Sequence, residues 1–397
     1  MVAYTYYETD NRVMRYAETL ARRGDEVDVI AHYGQEKGTL YRNGVRVIRV
    51  QQRIANEKSK FTYLFRICMF FIRAMLVLTF NHLRKPYQLI HVHSVPDFLV
   101  FTAWLPKMMG AKIILDIHDM LPEFYASKFL DAQKSAMFDV MVWVEKESCA
   151  FADHVIIPNH LWQQRLISRS VPASKVSVIM NYPDPAIFHR RGRTRTDDRF
   201  ILLYPGTLAV HQGLDVAIRA FAKIKNLVPE ADFHIRGGGP AKEGLEALVK
   251  ELHLQDCVLF LPGMPMWEIA QVMENADLAV VPKRKDMFGN EAFSTKTLEF
   301  MSVGVPLLVA DTAVDLYYFT DEIVTFATSG DENDFAAKMV LLIRNPGLRQ
   351  KQVQNADEFI KRNSWDVRKA EYLNLVDSMT GNTPSAPAQT NENVAVQ

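Results

Sequence analysis

The sequence predicts an α/β protein made of two tandem, doubly wound domains, each a parallel sheet covered by helices on both faces. Short apolar runs of strand length alternate with helical segments along almost the whole chain, the pattern expected of buried parallel strands. The alternation is interrupted once, by a polar, arginine-rich stretch at 189–198, and then restarts. At 397 residues and 48% hydrophobic content, the chain has material for more than one core. Two such domains in tandem predict an interdomain cleft, outside the carboxyl ends of the strands, as the ligand site.

In the first half, 2–7 reads as a strand and 11–23 as a helix stopped by Gly24, the residue type that suits a left-handed helix terminus. Strands follow at 26–31, 45–50, 89–93, 112–117 and 155–157, with a helix over 138–152 before the last. The segment 179–183 closes this half, and the first domain is set at 1–188. In the second half, strand 200–204 and helix 214–227 lead to strand 231–236 and a Gly-Gly-Gly-Pro turn at 237–240. Helix 244–252 and strands 258–261, 278–281, 306–310 and 323–326 complete a second domain at 189–363. A helix over 364–379 is a candidate to return to the first domain. The tail 380–397, rich in Thr, Pro, Ala, Asn and Gln, is expected to be disordered, and 189–198 to be a solvated linker.

Lysine plus arginine and aspartate plus glutamate each number 46, so no net field points to a nucleic-acid partner. Cys68, Cys149 and Cys257 lie far apart in apolar surroundings and are expected to be buried, reduced thiols. The opening residues already read as strand and not as a signal peptide, which makes the cytoplasm the expected location. His91 and His93 alternate along a strand and read as structural. No His, Asp or Glu cluster has metal-ligand spacing in the sequence.

The stretch 61–80 is long enough for a bilayer at about 1.5 Å per helical residue. It holds Arg66 and Arg73, each costing about 2.5–3.5 kcal/mol at a bilayer centre, while each Leu, Ile, Phe or Val returns only about 0.3–0.6 kcal/mol. Spanning is therefore not favoured. Two readings stay open: a helix lying in the membrane interface with its basic residues toward lipid phosphates, or one packed on the core with an arginine edge exposed.

Glu291 and Glu299 frame the start of a short helix that stops at Gly304, and Pro306 opens a buried strand. Ser294 or Thr295 can cap that helix, leaving its positive end and free N–H groups for an anion. Lys296 in its first turn works against the helix dipole, which is easier to explain if an anion binds nearby. His118 and Asp119 follow the strand 112–117 and can project from its carboxyl end. Together with Tyr204-Pro-Gly206-Thr207-Leu208, His211-Gln212-Gly213, Gly237-Gly238-Gly239-Pro240 and Ala276-Asp277 through Pro282, in this order, the Glu-x7-Glu segment resembles retaining glycosyltransferases of family 4, which have the GT-B fold. Tyr6 to Arg12, Ile90 to Asp97 and Asp116 to Glu123 resemble a bacterial subgroup that builds surface polysaccharides or lipid-linked oligosaccharides.

The resemblance implies a nucleotide-sugar donor, a hydroxyl acceptor and transfer with retention, needing no metal and no other cofactor. It makes His118, Asp119 and Glu291 the catalytic candidates, with Glu291 on the transferred sugar and Glu299 on the nucleotide ribose. Donor contacts are expected from Gly206, Thr207, Gly238, Gly239, Ala292, Phe293, Ser294, Thr295, Lys296 and Glu299. Asn11, Arg12, His211 and Glu123 are candidates for the pyrophosphate or the acceptor. The acceptor is expected to be a glycan, plausibly polyprenyl-linked, at the inner face of the cytoplasmic membrane, with contact through 61–80. Thr207 and Gln212 stand where many relatives have the Arg and Lys that grip the pyrophosphate, and Lys296 is the expected replacement. Two alternatives stay open: a GT-B sugar-nucleotide epimerase, or a non-catalytic partner subunit that binds glycans or membranes.

Overall fold

The structure, a computed structural model, describes residues 1–34, 36–53, 60–127 and 132–382. They form two units with separate sheets. Among the described residues, the first unit comprises Met1–Asn181 and 369–382. Its strands are β1 (Val2–Tyr6), β2 (Val27–Tyr33), β3 (Gly38–Arg42), β4 (Val45–Gln52), β5 (Leu89–His93), β6 (Lys112–Asp116), β7 (His154–Ile157) and β8 (Val176–Val178). They run in the order β3-β4-β2-β1-β5-β6-β7-β8, with every neighbour parallel except β3. β3 is a polar edge strand antiparallel to β4, joined to it by Asn43-Gly44, both at positive φ (49° and 81°). An Asn-Gly pair is the strongest short-range hairpin signal, and it is what the strand-by-strand alternation passes over. Helices α1 (Asn11–Arg23), α2 (Lys60–Arg84), α3 (Trp104–Met108), α4 (Leu121–Ala126), α5 (Ala136–Phe151) and α6 (His160–Arg169) link these strands.

The second unit spans Tyr182–Arg368. Its elements are β9 (Phe200–Pro205), α7 (Leu214–Ile224), β10 (Ala231–Arg236), α8 (Lys242–Glu251), β11 (Val258–Leu261), α9 (Met266–Glu274), β12 (Leu278–Val281), α10 (Thr295–Ser302), β13 (Leu307–Ala310), α11 (Ala313–Tyr318), β14 (Thr325–Ala327), α12 (Glu332–Arg344) and α13 (Pro346–Arg362). The all-parallel order is β11-β10-β9-β12-β13-β14. Phe221 of α7, Phe233 of β10 and Phe335 of α12 are fully buried on one face of this sheet. Each such ring contributes about 1.5–3 kcal/mol through burial.

The division falls between Asn181 and Tyr182, not after residue 188. Tyr182 accepts a hydrogen bond from Arg368 Nε (3.2 Å), and the Pro183 carbonyl accepts one from Trp365 N (3.1 Å), which ties this stretch to the second unit. The segment 189–198 is not a free linker either. Its amides at Arg191 and Gly192 bind the Glu274 carboxylate at 2.8–2.9 Å, and Arg193 and Arg195 pair with Asp277. Carboxylates on the second unit hold the basic run down.

The last helix, α14 (Trp365–Thr380), starts in the second unit and ends in the first. Tyr372 is fully buried against the Tyr16 ring (4.3 Å between centroids), with its hydroxyl 3.0 Å from His91 Nδ1. Asp377 pairs with Arg23 of α1 at 2.7 Å. Thr380, expected to open the tail, closes this helix. The rest of the expected tail, 383–397, lies outside the described residues.

Each sheet reverses its winding once. In the first, β1 has β2 on one side and β5 on the other; in the second, β9 has β10 on one side and β12 on the other. At such a point adjacent crossovers diverge and leave a crevice at the carboxyl ends of the strands.

Candidate active site

In the second unit the reversal brings the ends of β9 and β12 together. Gly213, at φ 67°, permits the closeness: a Cβ there would sit 2.0 Å from the Pro282 carbonyl oxygen. α10 starts beside these ends. Ser294 occupies its N-cap position but makes no side-chain cap hydrogen bond, so the cap expected from Ser294 or Thr295 is not formed. The positive end of the helix is therefore left without a side-chain oxygen on it.

Lys296 reaches back from this helix to β9. Its Nζ donates to the Tyr204 hydroxyl (3.2 Å) and to Gln212 Oε1 (3.3 Å), and it lies 4.3 Å from the centre of the Tyr204 ring. A Cβ on Gly206 would meet the same Nζ at 3.2 Å. The ammonium thus stands between the two positions, Thr207 and Gln212, at which a cation is missing. Burial lowers its pKa to about 8, against the opposing pull of Glu299. A cation held by neutral partners keeps its charge available for an incoming anion.

The loop carrying Glu291 is braced from below. Lys283 is buried, donates to the Ala292 carbonyl (2.8 Å) and pairs with buried Asp315 (2.8 Å). Asn290 accepts from Ala313 N through its side chain (2.9 Å) and from Val314 N through its carbonyl (3.0 Å). Phe293 packs edge-on against Tyr318 at 5.1 Å. Glu291, Ala292, Phe293, Ser294, Thr295, Lys296 and Glu299 are all half-buried and share this one edge of the unit. His211 sits half-buried nearby, edge-on to Phe288 at 5.5 Å.

The glycine turn has a different purpose from the one its composition suggests. A Cβ on Gly237 would lie 2.0 Å from the Gly206 carbonyl oxygen, and one on Gly239 would lie 2.3 Å from that of Leu208. Those two glycines let the loops after β9 and β10 pack backbone to backbone. Of the three, Gly238 alone faces open space, with nothing within 4 Å, whereas Gly239, also expected to contact the donor, is packed against Leu208.

In the first unit the reversal brings Arg12 to Asp116, at the end of β6. Asp116 is fully buried; burial would raise its pKa, but Arg12 and His118 hold the carboxyl well below the usual range. Its Oδ2 lies 3.1 Å from His93 Nδ1 and 3.2 Å from His118 Nε2. An ionised oxygen accepts, so both nitrogens carry their protons toward it. In neutral His118 that leaves Nδ1 as an acceptor on a ring about a fifth exposed (21%). Asp119 is exposed and Asn11 half-buried at the start of α1.

Two candidates are corrected here. Arg12 is only 5% exposed and is committed to Asp116, so it is unavailable for a pyrophosphate. Glu123 is fully buried and bound through both oxygens by Arg169 (2.7 and 3.0 Å), which also holds Glu145; it is a structural ion cluster and not an acceptor contact. Ligand atoms of His91, His93 and Asp116 do cluster within 4.8 Å, a grouping their sequence separation conceals. Burial lowers the pKa of both histidines, and Arg12 already supplies the positive charge beside Asp116, so the trio reads as a hydrogen-bonded core.

The family described as "Glycosyl transferase 4-like domain" matches residues 9–182, and "Glycosyl transferases group 1" matches 187–359. This is a GT-B glycosyltransferase of family 4. The amylovoran biosynthesis glycosyltransferase AmsK of Erwinia amylovora is 26% identical over 48% of this chain and 47% of that protein, so the match spans about half of each. Sucrose-phosphate synthase of Thermosynechococcus elongatus has the same fold, with a TM-score of 0.79 at 19% identity over 96% of this chain and 99% of that one. HepE of Anabaena, solved with UDP-glucose, follows at a TM-score of 0.71 and 16% identity over 95% and 98% of the two chains.

Within this glycosyltransferase, the residues missed by sequence reasoning are Tyr204, Lys283, Asp315 and Asp116. Tyr204 and Asp116 end or nearly end a strand, and Lys283 follows one closely. Strand-end position was the signal that would have found these three; Asp315, inside α11, had no such signal.

Proposed function

We propose that this glycosyltransferase moves a hexosyl or N-acetylhexosaminyl group from a nucleotide-diphosphate sugar to a hydroxyl acceptor with retention of anomeric configuration. The observation that carries the reading is Lys296, held by neutral partners beside an uncapped helix end and beside Gly206, Thr207 and Gln212. A departing diphosphate gains negative charge, and a preorganised cation and helix end stabilise that charge where it forms. Glu299 is assigned to the nucleotide ribose, Glu291 to the transferred sugar, and His118 Nδ1 to a sugar hydroxyl. Asp119 is assigned to the acceptor side. The transfer needs no metal, so chelation should leave the rate unchanged.

The relatives support the chemistry by analogy. HepE was solved with UDP-glucose, and AmsK is named for amylovoran biosynthesis. The acceptor assigned here is a polyprenyl-linked glycan of surface polysaccharide synthesis, reached by a peripheral protein at the cytoplasmic membrane face.

A thermal-shift panel of UDP, GDP, ADP and TDP with their sugars identifies the donor. A bound nucleotide adds about 2.7 kcal/mol of stability at roughly a hundredfold excess over Kd. Transfer from the selected donor, with the product anomer read by NMR, tests retention. Conversion of the donor in the absence of acceptor would instead mark an epimerase. No nucleotide binding by calorimetry would mark a non-catalytic subunit.

A further inference from the structure

We infer that the outer face of α2, continued onto α3, seats this protein in the plane of an anionic lipid surface. The helix is long and apolar enough to cross a membrane, yet only 22% of its most apolar window is buried. Ile67, Phe70, Ala74 and Leu78 form its inward face, and Phe70 packs against the rings of Tyr4 (5.1 Å) and His32 (4.7 Å). A helix locked to a sheet along one side does not span a bilayer. It can lie in its interface.

The opposite side is the unusual one. Phe65, Ile72, Leu76 and Leu83 fall within a narrow arc at about 100° per residue, directly across from the buried face. They are between 45% and 64% exposed, where a helix of a soluble domain carries polar residues. α3 extends the surface with Trp104 (56% exposed) and Met108 (69%). Phe71 of α2 touches Phe98, in the turn of helix that leads into α3, so the two apolar surfaces are neighbours.

Charge selects the occupant. Arg66, Arg73 and Arg84 share one flank of α2, between the apolar stripe and the buried face. Between Glu57 and Asp116 the sequence has one acidic residue, Asp97, and that carboxyl is buried against the Ser94 hydroxyl. The described residues of α2 and α3 thus carry basic side chains and no carboxylate, and just past the end of α2 Lys85 pairs with Glu26. A second copy would present the same excess of basic residues on α2, whereas anionic headgroups above a hydrocarbon layer complement both parts. The exposed Trp104 and Tyr63 are of the two side-chain types that favour that boundary. The link to a lipid-linked acceptor rests on the reaction proposed above; the seating does not.

Cys68 is exposed beside the apolar stripe, Cys149 is buried and Cys257 is half-buried. An environment-sensitive fluorophore on Cys68, in the full chain with Cys257→Ser, reports the depth directly. With equimolar phosphatidylcholine–phosphatidylglycerol vesicles, the expected results are co-flotation, a blue-shifted emission and release by salt. Arg66→Glu with Arg84→Glu should lower partitioning at least tenfold on anionic vesicles, and Phe65→Asn with Leu76→Asn should remove the blue shift. Circular dichroism checks that each variant is folded, and transfer to a water-soluble acceptor should persist in both. Absence of binding by the unmodified chain would overturn the proposal. So would a self-association, seen by sedimentation, that Leu76→Asn abolishes while vesicles have no effect. Loss of transfer with vesicle binding intact would instead count against the proposed reaction.

Discussion

Lys296 shows how one side chain can relocate a charge. The ammonium starts at a helix and ends beside β9, so the position that supplies a cation in sequence need not be the position that supplies it in space. Lys296→Ala is expected to lower kcat by more than about tenfold, or about 1.4 kcal/mol; a smaller loss would sink the assignment. Its pKa of about 8 adds a sign. In the proposed reaction the protonated form binds the diphosphate, so donor affinity should be flat below pH 8 and fall as pH rises above it. Lys296→Arg should flatten that fall, because a guanidinium stays charged. Calorimetric Kd values across pH 6.5–9.5 check both. Asp116→Asn strands buried Arg12 and should cost about 3–5 kcal/mol by denaturant unfolding. Its pKa is depressed in the fold, so the stabilisation is present above the unfolded carboxyl value and lost as pH falls below it.

At the scale of elements, the glycine turn offers a clean separation. Gly237→Ala would push a methyl into the Gly206 carbonyl from a left-handed backbone (φ 142°) and should lower Tm by several degrees. Gly238→Ala meets nothing and should leave Tm unchanged while raising the donor KM. Such contrasts mark the limit of what the chain reveals unfolded. Buried strands such as 278–281 and the Glu291 to Glu299 segment were legible because apolar runs and fixed spacing are local signals. Arg12 and Glu123 were misread because their partners, Asp116 and Arg169, are distant in sequence, and a charge says nothing of whom it pairs with. The exposure of Cys68 was hidden likewise: an apolar neighbourhood in sequence can be an outer face in space.

For the molecule as a whole, α14 is the element with the widest reach, because the first unit is completed by residues from the far end of the chain. Ending the chain at Arg368, where the second unit stops, would remove the Tyr372 ring from Tyr16 and His91 and the Asp377 partner from Arg23. Loss of a fully buried tyrosine alone costs on the order of 3–5 kcal/mol. The truncated protein should expose first-unit core to a hydrophobic dye while the second unit still melts cooperatively; two unchanged transitions would contradict this.

That return also sets an order of events during synthesis. The ribosome finishes residue 181 long before it reaches Tyr372, a delay of roughly 10–40 s at ordinary elongation rates. Throughout that interval the first unit has all its strands but lacks the ring that seals it, while the second unit, made later, has its sheet complete sooner after its own last strand. The amino-terminal half of this enzyme is therefore the half that waits, with Tyr16 and His91 lacking their Tyr372 partner until the end of synthesis.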